Sequence, residues 1–171
     1  MDAMPNGARR YIKHVSTEEG VYGLILVSGL IAAAGIAHSS AGQILVIGTV
    51  THVVFWLAHV YSGVVAGHGR RDHTGERFSL GPVIRHAMDK TKGMLLSAVI
   101  PGVFLALGAL RIFDDKTAIW AALWSCVVVL AVLGFAAYRK LGANLVWCVV
   151  GALATASFGL IIVVAKLIVM H

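Results

Sequence analysis

Apolar residues in this chain fall in long unbroken stretches. They show neither the alternation of a half-buried strand nor the single stripe of a surface helix. Five stretches stand out, at residues 21–37, 43–67, 93–110, 117–138 and 145–170. A helix needs roughly 20 apolar residues to cross the ~30 Å hydrocarbon core of a bilayer. The first and third stretches are on the short side and borrow from their flanks. At that depth no water is present to satisfy the backbone, so the spanning segments must be helical. The pattern therefore predicts an all-α integral membrane protein, a bundle of five transmembrane helices forming one domain over residues 1–171. The only long polar connection is the loop 68–81. Pro82 then opens VIRHAMDKTK, which reads as a short interfacial helix before the third span. Val83, Ile84, Ala87 and Met88 suit the acyl boundary, and Arg85, Lys90 and Lys92 suit headgroups.

Composition narrows the class. Hydrophobic residues make up 58% and charged residues 13%, with a mean hydropathy of +0.85. Soluble domains carry about 25% charged residues, so a water-soluble enzyme or nucleic-acid-binding domain is excluded. The net charge of +6 is then read through its placement. Arg9, Arg10, Lys13, Arg70, Arg71, Arg77, Arg85, Lys90, Lys92, Arg139 and Lys140 fall on one side of the expected membrane. Only Arg111, Lys116 and Lys166 fall on the other. An eleven-to-three split predicts a cytoplasmic N-terminus, an external C-terminus and a cell (inner) membrane location. Tyr22, Tyr138 and Trp147 agree as inner-interface aromatics, and Trp120 as an outer one. The rival reading takes Arg9, Arg10 and Lys13, the first apolar run and Ser39-Ser40-Ala41 as a secretory signal, whose removal would leave four helices. Glu18-Glu19 suit such a leader poorly. Cys126 and Cys148 both lie in apolar segments and read as packing residues rather than a disulfide.

Chemistry concentrates in the second span, in THVVFWLAHVYSG. His52 and His59 are seven residues apart and so share nearly one face, a stripe that Gly48, Phe55, Ser62 and Ala66 extend. Ionisable groups at that depth are costly against lipid and should face the bundle or a wet cavity. Histidine both accepts and donates protons near neutral pH, so the pair could relay protons or coordinate a cation. The bland alternative is one interhelical hydrogen bond for each neutral imidazole. Glu19, a turn before Gly23, could open a polar path at the inner mouth, or simply complement the helix dipole. A contact with the basic inner loop is a third option for it.

In the fifth span, Gly151, Thr155 and Gly159 are spaced for close helix packing, and Lys166 is near enough to the outer end to snorkel. Pro101 frees a carbonyl near Ser97 and predicts a kink. Arg70, Arg71 and Arg77 in the polar loop are expected at anionic lipid headgroups. His68, Asp72, His73 and Glu76 match no zinc spacing, so no metal is expected, and no cofactor. No catalytic motif is present, so catalysis has no positive support.

EEGVYGLILVSGLIAA followed by VVFWLAHVYSGVVAG resembles a group of small actinobacterial membrane proteins of uncharacterised function, over residues 18–67. That resemblance implies no activity. The run Phe55 to His59 is also similar to an aromatic-plus-His stretch in bacterial relatives of the lysosomal potassium channel family. The Phe-Ser-Asp signature of that family is absent, with Tyr22-Gly23 standing nearby, so no pathway residues carry over. The leading expectation is a small channel or transporter for protons or monovalent cations using His52, His59 and Glu19, in a homo-oligomer. The alternative is a non-catalytic membrane subunit or scaffold that packs against a partner membrane protein.

Overall fold

The computed structural model describes residues 18–37, 39–67 and 80–170, and every regular element among them is helical. The elements are α1 Glu18–Ile36, α2 Ala41–Gly67, α3 Leu80–Ser97, α4 Val99–Ala109, α5 Asp115–Lys140 and α6 Leu145–Met170. The loop residues Arg70, Arg71 and Arg77, and the metal-capable groups beside them, lie outside the described residues. Helices α1, α2, α5 and α6 are each long and apolar enough to cross a membrane. Residues Val83–Ser97 and Val99–Ala109 pass the same test only as a pair, bent by 43°.

The bend has a covalent cause. Pro101 has no amide hydrogen to offer the carbonyl of Ser97. The Ala98 amide bonds to Leu95, one residue closer than an α-helix requires, and the helix resumes with Gly102 bonding to Ala98. The expected kink is therefore present. The segment read as a separate interfacial helix differs from expectation, because it runs on without interruption to Ser97. Nothing between Leu80 and Ser97 other than Pro82, which is tolerated in a first turn, stops helical hydrogen bonding.

Helix starts are set by short-range chemistry. Ser40 and Gln43 form a reciprocal capping box at α2, with the Ser40 amide donating to Gln43 Oε1 (3.0 Å) and the Gln43 amide donating to Ser40 Oγ (3.3 Å). Asp115 of α5 accepts from the Ala41 amide at 2.9 Å, fastening two helix N-termini together. Asp114 accepts from the Thr117 amide at 2.9 Å to cap α5, and Asn144 accepts from the Trp147 amide at 3.1 Å to cap α6. Hydrogen bonds from Thr117 hold the exposed Asp114 carboxyl below its ordinary range. Two helices end on left-handed residues with the paired bonds of a Schellman turn. Gly142 (φ 73°) closes α5 at no steric cost, and Arg111 (φ 59°) closes α4.

Helix α5 is the centre of the bundle. Its buried residues include Ala118, Ala122, Leu123, Cys126, Leu130 and Leu133. Against it packs α6, and α1 packs against α2, α3, α5 and α6. At the α5–α6 contact a side chain on Gly134 would collide with the Thr155 hydroxyl and the Gly151 carbonyl. One on Gly151 would strike the Tyr138 ring, and one on Gly159 would press on Val127 and Leu130. The small-residue face of α6 is thus used within the chain. Cys126 and Cys148 are buried free thiols. By contrast α2 is the outermost helix: only Ala41, Ile44 and His52 among its described side chains are buried.

Candidate functional site

Polar side chains from α1, α2 and α3 line one seam that begins at the N-terminal end of α1. Glu19 meets Lys90 of α3 at 3.3 Å; the carboxylate is nearly buried (12% exposed) and the ammonium is largely exposed (64%). One turn further, the Tyr22 ring lies against His59 of α2, centroids 5.3 Å apart and tilted by 38°. Trp56 Nε1–H donates to the Thr91 hydroxyl at 3.1 Å, and Thr91 donates in turn to the Ala87 carbonyl at 2.9 Å. Gly63 meets Ala87 across the same α2–α3 contact.

The seam reaches the bend at His52. Its Nε2 lies 2.7 Å from the Met94 carbonyl oxygen, and the Ser97 hydroxyl donates to the same oxygen at 2.6 Å. A carbonyl only accepts, so the His52 proton sits on Nε2, leaving Nδ1 as the acceptor of the neutral ring. Gly23 of α1 closes the arrangement. A side chain there would meet Ser97 Oγ at 2.7 Å and Met94 Cγ at 2.9 Å. His52 is thus the polar member of the buried set on α2, and it holds the carbonyl just before the break.

Glu19, His59 and His52 therefore fall on one three-helix seam, at successive depths, each with a different neighbour. The stripe on α2 differs from the expected one. Its contacts fall at 52, 56, 59 and 63, the last an exposed glycine whose side-chain direction faces Ala87, while Ser62 and Ala66 are exposed and Phe55 is exposed at the edge of a cleft. A straight helix drifts about 20° per heptad, so steps of four, three and four track a neighbour better than repeated sevens. Lys90, read from the sequence as a headgroup residue on the basic stretch offered as one partner for Glu19, is the residue Glu19 meets, whereas nothing in the sequence pointed to the Trp56–Thr91 bond beyond Trp56 lying one turn from His52.

Beside the seam is a cleft of about 630 Å³ between α1 and α2. Leu95, Ala98, Gly102 and Leu105 form its back wall, with Ile162 of α6. Its lining is hydrocarbon apart from Tyr22, Thr49, Thr51 and His52. A second, more polar hollow of about 540 Å³ lies where the α2 and α5 N-termini meet, around Ser40, Arg111, Asp114 and Asp115. There both carboxylates are engaged in helix capping.

Lys166 is turned into the bundle. It is 3% exposed, and its ammonium lies 5.1 Å over the Trp120 ring centroid. It also rests on Gly35, at the C-terminal end of α1, where positive charge complements the helix dipole. The spacing of Gly35, Trp120 and Lys166 along the chain gives no hint of this contact, which joins three helices. No group of three or more metal-capable side chains occurs among the described residues. No protein-family model matches the chain, and neither a curated protein nor a solved structure is detectably similar to it.

Proposed function

We propose that this is a five-span protein of the cell membrane, with a cytoplasmic N-terminus, that passes protons or small monovalent cations along the α1–α2–α3 seam. The bent pair α3–α4 counts as the third span, and the lysine and arginine distribution sets the orientation. The observation that carries the reading is the succession of Glu19, His59 and His52 along one seam, ending at a broken helix. Glu19 is the entry group, held by Lys90. His52 is the exchanging group, because Nε2–H stays on Met94 while Nδ1 takes and returns a proton. Protonation strengthens the bond to Met94 by making it charge-assisted. Occupancy is thereby linked to the bend at Ala98, the point where the backbone ladder is already interrupted.

The rival reading, a subunit docking through Gly151, Thr155 and Gly159, has less support, since α5 covers that face. Purified protein in liposomes under an imposed pH or potassium gradient tests the proposal. His52→Gln keeps a side-chain donor for Met94 but cannot titrate, and the expected flux is that of empty liposomes. Wild-type flux in well-folded His52→Gln, or no flux from the wild type, overturns the proposal.

A further inference from the structure

The cleft between α1 and α2 is unlike the rest of the bundle, because two helices consecutive in the chain leave open space between them. It runs from Tyr22 to Ile31 on α1 and from Ile44 to Phe55 on α2. At 1.5 Å rise per residue these stretches span about 14 Å and about 17 Å. One leaflet contributes about 15 Å of the ~30 Å hydrocarbon core. The cleft is therefore one acyl chain deep. It also opens sideways, since Val53 and Phe55 at its edge are exposed on the outermost helix.

Neither vacuum nor water suits this space. Left unfilled, the walls of a cleft this size would forgo the dispersion contacts that a filling supplies. Water would number about twenty molecules, each needing two to four polar partners. The wall offers the phenol of Tyr22, two threonine hydroxyls and one imidazole. Hydrocarbon is the filling that matches. At the Tyr22–Phe55 end the cleft lies one turn from Glu19 and its partner Lys90, whose side chain stays 64% exposed; Arg85 is exposed on the same helix, while Lys92 is paired with Asp89. That end suits a phosphate headgroup.

We infer that the α1–α2 cleft is a binding site for one phospholipid, which lays an acyl chain between the helices and its phosphate beside Lys90. The inference goes beyond ion passage and does not depend on it. Two glycines hollow the walls: a side-chain carbon on Gly29 or Gly102 would meet nothing within 4 Å. Both glycines line the cleft, so a larger side chain at either position starts in open space.

The test is native mass spectrometry and phosphorus assay of the full chain purified in mild detergent, comparing wild type with Gly29→Leu/Gly102→Leu. The wild type is expected to retain one phospholipid per chain after extensive washing. The double variant should retain at least tenfold less and melt at a higher temperature. Each single leucine should give an intermediate loss, which keeps the test decisive if the double variant folds poorly. A wild type stripped of lipid, equal retention in the variants, or a retained molecule without phosphorus overturns the inference. Flux from His52→Gln is read separately, so the failure of one proposal is distinguishable from the failure of the other.

Discussion

Between α5 and α6 backbone meets backbone through Gly134, Gly151 and Gly159, whereas α1 and α2 flank a cleft and are held by the Tyr22–His59 contact and by shared packing on α3. Both regions are built from apolar helices rich in glycine, yet the glycines do opposite things. Those of the α5–α6 pair remove side chains so that two helices can touch, which in lipid is the main source of association. Gly29 and Gly102 remove side chains and leave space. The first region is rigid by contact. The second holds its shape through individual hydrogen bonds and rings, the kind of construction that can host a ligand or change state.

The contrast can be broken by substitution, and the largest effect belongs to the tight pair. Gly134→Ala forces a methyl group onto the Gly151 carbonyl and the Thr155 hydroxyl, and should cost about 3 kcal/mol or more in detergent unfolding. A near-neutral result would mean the two helices are not in close contact. Next comes the seam. His52→Ala removes the bond to Met94, and a loss of about 1–2 kcal/mol is expected, with His52→Gln recovering part of it. If glutamine is no better than alanine, the hydrogen bond contributes nothing and only the volume of the ring matters.

A smaller change of opposite sign is expected from Gly102→Leu, a gain of under about 1 kcal/mol from filling space in the cleft. The same glycine-to-larger substitution would then be ruinous in one region and mildly stabilising in the other, and thermal melts of the two variants side by side would read the difference. The smallest effect lies outside both regions, at the cap of α5. Asp114 has a depressed folded-state pKa, so its stabilisation is complete above the unfolded value of about 3.9 and fades as pH falls through the folded value. Asp114→Asn should flatten that part of the acid-stability profile without altering the melt at neutral pH.

Much of this arrangement was legible from residues that act locally. Pro101 announced the bend, because a missing amide hydrogen is a covalent fact that no environment alters. Ser40-x-x-Gln43 is a readable capping box, and it explains why α2 begins at Ala41, two residues before its apolar run suggested. The spacing of Gly151, Thr155 and Gly159 identified a close-packing face, but not that Gly134 of the neighbouring helix would occupy it. Lys166 illustrates the limit. Near a helix end it reads as a snorkelling side chain, and only the meeting of Gly35, Trp120 and Lys166 from three helices turns it inward.

From sequence alone follow the helical class, the approximate extent of α1, α2, α5 and α6, and the residues able to cap or break a helix, whereas the stretch read as 93–110 straddles the break between α3 and α4. These depend on length, hydropathy and backbone hydrogen bonding within a few residues. Tertiary structure alone decided which faces meet. In a soluble protein the buried face is marked by a polar opposite face, but α1, α2 and α5 are apolar nearly all round, as helices able to cross a membrane are, so they carry almost no such mark. Hence His52 became the anchor of Met94 while His59 settled against Tyr22, and the cleft beside them was invisible until the helices were assembled.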